Sequence, residues 1–255
     1  MVHAAVCCHI GRLRKNNEDN FYLSGIWKPR EQANQNWLKE DIIPQPALFA
    51  VLDGMGGEQY GEVASATAAA LLHKYRDSFL TGSDPERIGA ETISQLSRAL
   101  WKGCKEAGYR IGTTLVAAAV WQQDLYLFGL GDSRIYLLEN GILTQATQDH
   151  TVAAETTYNL FPAHSFEDIC SNQLTQYFGM DCSEYDAAPC HSHHSLHPGM
   201  KVLLCSDGLY NTMDESEMAT FLEQSTPLTA VQHLVDVALD RGAKDNVTAM
   251  VLIMT

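Results

Sequence analysis

At 255 residues the chain suits one sheet-rich domain, and 45% apolar against 19% charged residues is an ordinary globular balance with ample material for a core. Its formal net charge of −14 argues against a nucleic-acid binder, which needs Lys and Arg to neutralise phosphates. No run approaches the roughly 18 apolar residues of a membrane span, and Arg12, Arg14 and Lys15 follow Met1 to Ile10 where a signal peptide would place its cleavage site.

Seven cysteines without a Cys-x-x-Cys pair cannot form an even disulfide framework, so reduced thiols in a cytoplasmic protein are expected. Val2 to His9 and Asn20 to Ile26 have strand texture, while Trp27 to Gln45, polar and interrupted by Pro29 and Pro44, reads as an extended surface loop. Ala47 to Leu52 is a short continuous apolar run, the mark of a strand buried on both faces, and it leads straight into Asp53-Gly-Met-Gly-Gly57. Glu62 to Phe79 has apolar residues at helical spacing. Ser83-Asp84-Pro85-Glu86 then offers an N-cap and a first-turn proline for a second helix towards Gly108.

From Thr113 the texture turns to strands: Thr114 to Trp121, Leu125 to Leu130 and Arg134 to Leu138, with Asn140-Gly141 as a hairpin turn before Ile142. Thr151 to Gly179 is weakly periodic and predicts helix in pieces. Lys201 to Cys205 repeats the buried-strand texture and ends at Asp207-Gly208. Helices over Asp214 to Glu223 and Pro227 to Arg241 and a strand over Asn246 to Met254 complete the chain. Strands grouped with strands and paired helices predict an α+β layered domain spanning 1–255, without repeat or linker.

Asp53, Asp132 and Asp207 share one context, in which an apolar strand delivers an aspartate that Gly or Ser follows. A carboxylate there is costly to desolvate unless a cation pairs with it. Glu18-Asp19 and Asp245-Asn246 also abut strands, and so many hard oxygen ligands favour Mg²⁺ or Mn²⁺ over Zn²⁺. Gly54, Gly56 and Gly57 let backbone come close to a ligand. Arg14, a few residues before the Glu18-Asp19 pair, is a candidate bidentate phosphate binder, with a plain surface arginine as the alternative.

GRLRKNNED (11–19), FAVLDGMGG (49–57), GTT (112–114), GDSR (131–134), DH (149–150), LLCSDGL (203–209) and DNVT (245–248) follow one another as in the type 2C metal-dependent protein phosphatases. The chain resembles that family, in a bacterial-type form, over essentially its whole length. The resemblance implies a four-layer α-β-β-α sandwich with the metals at one end. It implies two tightly bound Mn²⁺ or Mg²⁺ ions and a third, weaker one. Asp53 matches the carboxylate shared by both metals; Asp207 and Asp245 match ligands of the first, and Glu18 and the Gly54 carbonyl ligands of the second. Asp19 resembles the acid that orders metal-held water, Asp132 with Asp207 matches the third site, and Arg14 matches the phosphate-binding arginine. Asn246, Gly112 and Thr113 match supporting positions.

The implied reaction is hydrolysis of phosphoserine and phosphothreonine in proteins by a metal-activated water, without a phosphoenzyme. The implied partners are phosphoprotein substrates of a bacterial serine/threonine kinase, with no nucleic acid or membrane partner and a monomeric, cytoplasmic enzyme. The sequence departs from the pattern in three places. Met55 stands where eukaryotic members carry a histidine that could protonate the leaving group. The flap between His150 and Gly179 lacks the usual Gly- and Glu-rich texture, and Ser171 replaces an Arg that often precedes Asn172. His150 is expected to be a structural hydrogen-bonder. The cluster His191, His193, His194 and His197 is expected to be a solvated strand rather than a zinc site, since no further ligand completes a tetrahedral set.

Overall fold

The structure, a computed structural model, describes residues 1–55, 60–82, 84–157 and 172–254. Two sheets are built from the apolar runs. The first has the order Ile142–Gln145 (β10), Arg134–Glu139 (β9), Lys201–Cys205 (β12), Val247–Met254 (β13), Val2–His9 (β1) and Trp37–Ile43 (β4). The second has the order Cys190–Ser195 (β11), Asp124–Leu130 (β8), Leu115–Trp121 (β7), Ala47–Met55 (β5), Asp19–Leu23 (β2) and Ile26–Trp27 (β3). The short strand Gly112–Thr113 (β6) pairs with the end of β5. The ladders between the described strands are antiparallel.

Period-two alternation explains why β5 is apolar throughout. Ala47, Phe49 and Val51 face the other sheet, meeting Val6, Leu204 and Leu252 in the central layer. Leu48, Ala50 and Leu52 face outward under the helices Gly61–Lys74 (α1), Arg76–Leu80 (α2) and Pro85–Glu106 (α3). The first sheet is covered in the same way. Leu203, Cys205 and Val251 lie under Glu215–Glu223 (α6) and Pro227–Asp240 (α7). A four-layer α-β-β-α sandwich results, as the sequence implied. Two further short helices, Val152–Thr157 (α4) and Asp207–Tyr210 (α5), complete the described elements.

Local signals set several boundaries. Asp84 accepts a hydrogen bond from the Arg87 N–H at 3.2 Å at the start of α3. Asp214 and Glu217 close a reciprocal capping box on α6. Asn140 and Gly141 both take positive φ, 50° and 80°, in the β9–β10 hairpin.

Three elements differ from expectation: the strand expected over Asn20 to Ile26 is a hairpin, with β2 and β3 antiparallel about a turn at Ser24 and Gly25, which take φ of 43° and 120°. Trp37–Ile43, read as loop, is the edge strand of the first sheet, in register with β1 from Val2↔Ile43 to Cys8↔Trp37. Leu38 to Ile42 are exposed, so β4 carries no alternation of apolar and polar residues for a sequence to reveal. The helix expected over Glu62 to Phe79 breaks at Tyr75 (φ −108°, ψ 16°), where the chain turns and restarts as α2 so that Phe79 and Leu80 still reach the sheet.

Phe128 ties these layers together: it is fully buried on β8, meets Phe79 edge-on at 5.9 Å, and fills the space beside Gly89 of α3. Phe128→Ala should lower stability by about 3–5 kcal/mol. Ile142→Ala, at a position 68% exposed, should stay within about 0.5 kcal/mol. Urea midpoints of the two variants check this.

Candidate metal centre

The parity that buries Phe49 and Val51 also aims Asp53, two residues further along β5, at the space between the sheets. Asp19 stands opposite it in the β2–β5 ladder. Where the apolar layer ends, these two inward positions become carboxylates. The turn after β8 adds Asp132, the end of β12 adds Asp207, and the residues before β13 add Asp245. Arg14, Glu18, Asp53, Gly54, Asp132, Asp207 and Asp245 line one open pocket of about 570 Å³ at this end of the sandwich, with Met55 and Thr114 on its wall. Asp19 lies behind that wall, 1% exposed.

Each acid is held from behind by polar groups that the fold brings in. Asp53 is fixed through its backbone: its N–H donates to Thr114 Oγ1 (3.0 Å), and its carbonyl accepts from the Thr114 N–H (2.8 Å) and Thr113 Oγ1 (3.0 Å). Asp19 Oδ2 accepts hydroxyl hydrogen bonds from Ser206 and Thr248, both at 2.7 Å. Glu18 Oε1 accepts from the Gly61 N–H at 3.1 Å, the Glu18 carbonyl from Ser65 Oγ at 2.6 Å. Asn246 stitches the N-terminal segment into place. Its Oδ1 accepts from the Glu18 N–H (2.8 Å), and its Nδ2 donates to the carbonyls of Ile10 (2.9 Å) and Asn16 (3.0 Å). Arg14, on the loop so anchored, donates to Asp245 Oδ2 at 2.5 Å.

Glycine is required at 54. A Cβ there would stand 2.2 Å from the Gly61 carbonyl oxygen and 2.6 Å from that of Glu18, so a side chain would push α1 away from the pocket.

The electrostatics are those of a site built to hold cations. Burial, and then the neighbouring charges of Asp19, Asp207, Asp132 and Asp245, hold the Asp53 carboxyl well above the usual range. Burial pushes Asp19 up to about 7 against the pull of its two hydroxyl donors, and Asp132 up to about 7 with Asp207 adding to it. Asp207 rises to about 6 through burial and Asp245, and Glu18 is raised chiefly by burial. Two buried carboxylate oxygens, Asp19 Oδ1 and Asp207 Oδ1, have no hydrogen-bond donor among the described residues. Orphaned oxygens of this kind, in an all-oxygen donor set, fit a hard divalent cation. As the side chains are placed, no three His, Cys, Asp or Glu of the described residues stand close enough to cage a cation. Arg14 holds Asp245 to its own side.

Sequence reasoning missed Ser206, Thr248 and Thr114, the hydroxyls that hold Asp19 and Asp53. Their only signal was position, beside Asp207, within DNVT and at the end of GTT. His150 is buried and braces the Asp132 turn, its Nδ1 accepting from the Gly131 N–H at 3.2 Å. Arg134 is clamped by Asp149 at 2.7 Å and lies 3.7 Å over the Tyr210 ring, whose hydroxyl donates to the Asp132 carbonyl at 3.0 Å.

The histidines of β11 are far from this pocket. His191 and His193 share one exposed face and pair with Glu86 and Asp124, at 2.8 and 2.7 Å, and His197 pairs with Glu139 at 3.1 Å. Gly56, Gly57, Ser171 and half of the expected flap, 158–171, lie outside the described residues.

The family model of protein phosphatase 2C matches residues 30–241. The chain is 30% identical to the serine/threonine phosphatase stp of Listeria monocytogenes, over 98% of this chain and 95% of that one. Among solved structures it is similar to PppA, a regulatory component of the T6SS in Pseudomonas aeruginosa. That likeness has a TM-score of 0.76 and 29% identity, and covers 99% of this chain and 97% of that one. It is also similar to the catalytic domain of the serine/threonine phosphatase PstP in complex with two manganese ions (TM-score 0.76, 26% identity, 99% of both chains).

Raised carboxyl pKa values make the protonated forms the stabilising ones without metal. That contribution is complete below the unfolded value near 4 and is lost as pH rises through about 6 to 7. In chelator the thermal midpoint should therefore fall between pH 5 and pH 8. Mn²⁺ should restore it most at pH 8, by about 2.7 kcal/mol at a hundredfold excess over Kd. Asp53→Asn should raise the metal-free midpoint at pH 8 and shrink the Mn²⁺ gain, and His193→Ala should leave that gain unchanged. Thermal melts at the two pH values decide it.

Proposed function

The chain belongs to the protein phosphatase 2C family and is a metal-dependent serine/threonine protein phosphatase; we propose that the acidic pocket is the place where it hydrolyses its phosphoprotein esters. One observation carries the assignment. Asp53, Asp132, Asp207, Asp245 and Glu18 line a single pocket with Arg14 on its rim, and Asp19 stands buried directly behind.

In this reading Asp53, Asp207, Asp245, Glu18 and the Gly54 carbonyl would hold two cations, manganese or magnesium, with Asp53 serving both. Asp132 with Asp207 serves a third, weaker site. When bound, the cations supply neutralisation of phosphate charge and a water acidified to near-neutral pKa.

The residues do the positioning. Arg14 presents a guanidinium that stays charged at any working pH and donates to the non-bridging phosphate oxygens. Asp245, its present partner, competes with phosphate for it, so engaging Asp245 elsewhere frees Arg14 for substrate. Asp19, locked by Ser206 and Thr248, keeps its free Oδ1 to accept a proton or order a water. Asn246 fixes the loop bearing Arg14 and Glu18 against β13, which sets the distance between phosphate clamp and carboxylates. Met55 on the wall has no proton to give to the departing serine or threonine oxygen. Among the described residues no cysteine lines the pocket, and burial raises the thiols of Cys190 and Cys205.

We read 1–255 as one phosphatase domain acting as a monomer on the targets of a bacterial serine/threonine kinase. The free state of the six described cysteines supports a cytoplasmic setting. No helix among the described residues is long and apolar enough to cross a membrane.

Hydrolysis of phosphothreonine, phosphoserine and phosphotyrosine peptides with Mn²⁺ and with chelator tests the function. Turnover should be confined to the first two and vanish on chelation. Asp53→Asn and Asp207→Asn should abolish it in folded protein. Asp132→Ala should reduce turnover while calorimetry still detects the tight sites. Arg14→Ala should raise KM and lower kcat together, because the guanidinium binds phosphoryl charge in the ground state and binds it more tightly in the transition state. Loss of activity in any single Cys→Ser variant would overturn the direct-water mechanism.

A further inference from the structure

The end of α3 and the loop after it gather Trp101, Lys102, Lys105, Tyr109 and Arg110 within ten residues of a chain whose net charge is −14. Trp101, Lys105, Tyr109 and Arg110 line a second groove of about 640 Å³ together with Tyr177. Met55, the last residue of β5, lines this groove and the acidic pocket alike, so the two adjoin there.

The groove has a built floor. Met55 pairs with Gly112 across the β5–β6 ladder. Thr113 and Phe178 exchange backbone hydrogen bonds of 3.0 and 2.8 Å. A Cβ on Gly112 would stand 2.5 Å from the Tyr177 ring, so glycine is what allows that ring to lie flat against β6. The cations above it sense Asp181 but are not locked to it. Lys105 Nζ rests 4.5 Å from the Trp101 ring centroid, and neither Lys105 nor Arg110 forms a salt bridge among the described residues. Among the described residues the one carboxylate lining the groove is Asp181, which accepts from the Ser183 N–H at 2.9 Å, so two cations face a single acid there.

Such a surface recognises extended peptide carrying negative charge: aromatic faces for the backbone and apolar atoms, ammonium and guanidinium for the anions. We propose that this groove is a substrate subsite that selects acidic side chains, Asp, Glu or a second phosphorylated residue, a few positions from the phosphoresidue being hydrolysed. The inference rests on the acidic pocket being the phosphate site, because that fixes where the peptide enters. Selection here is positional. The net negative charge of the chain disfavours an acidic peptide in general, and Lys105 and Arg110 offset this locally for anions that reach them.

The test compares Mn²⁺-dependent hydrolysis of a phosphothreonine peptide with neutral flanks against three others. Two carry paired Asp residues two to four positions before or after the phosphothreonine, and one carries a second phosphothreonine there. Wild type should favour an acidic arm by about fivefold in kcat/KM, equivalent to ~1 kcal/mol. In Lys105→Glu/Arg110→Glu that preference should reverse, with kcat/KM for the neutral peptide within about twofold of wild type. Preference for the doubly phosphorylated arm alone assigns the groove to phosphate; preference for both arms assigns it to anions generally. Equal rates on all peptides, or a preference that survives the double variant, overturn the subsite. No turnover of the neutral peptide by wild type would instead sink the phosphatase assignment of the acidic pocket, a separate failure.

Discussion

Mutual repulsion among buried carboxylates is the constraint on which this structure turns. Asp19, Asp53, Asp132 and Asp207 all lie where water is scarce, and each raises the cost of ionising the next. Left alone, such a cluster would drive its supports apart. It persists because every acid is attached to the end of a strand whose other residues are committed to one of three apolar layers. Moving Asp53 means dragging Phe49 and Val51 out of register, and moving Asp207 means disturbing Leu203 and Leu204. The fold is stabilised in its middle and stressed at one end, and that stress is the site's capacity to take up cations.

Much of this was legible in the sequence because burial on two faces leaves an unambiguous mark. ALFAVL and KVLLC read as doubly covered strands, and each has a helical layer on one side and the opposite sheet on the other. The aspartates that follow them stood out for the same reason, as charges where an apolar run stops. What the sequence concealed was held by backbone or by short hydroxyls. β4 hydrogen-bonds to β1 along one edge while its side chains face solvent, so its polar composition resembled a loop. Tyr75 ends α1 without a glycine or proline to announce it. Ser206 and Thr248 are ordinary strand-end residues until the β12–β13 pairing sets both hydroxyls on one oxygen of Asp19. Arg14 and Asp245, 231 positions apart, become partners only once β1 lies beside β13.

The histidines of β11 show the opposite case, a conspicuous pattern with a modest structural role. β11 is the outer edge of the second sheet, and an unprotected edge invites pairing with another chain. His191 and His193 reach across to Glu86 and Asp124, and His193 stacks on Tyr126 at 4.9 Å, so the face beside that edge is occupied by paired polar groups. Their spacing comes from strand alternation, which sends every second residue to solvent, and it brings no additional ligand with it.

Chemistry and selectivity hang from different layers of the sandwich. The carboxylates belong to the inner ends of both sheets, where any shift is felt across the central layer. The second groove belongs to the last turns of α3, to β6 and to the segment around Tyr177, all on the outer side of one sheet. Among the described residues only Met55 is common to both, and it sits at the tip of the strand that carries Asp53. Lys105, Tyr109 and Arg110 can therefore change without altering a single hydrogen bond behind the acids. Asn246 and Thr114 cannot, because their side chains fix the backbone of Glu18 and Asp53. A scaffold divided in this way keeps its demanding electrostatics in a region held rigid by strand register. In the proposed reading substrate preference is left to exposed side chains at and beyond a helix end, where a changed charge would alter what the peptide meets and leave the centre intact.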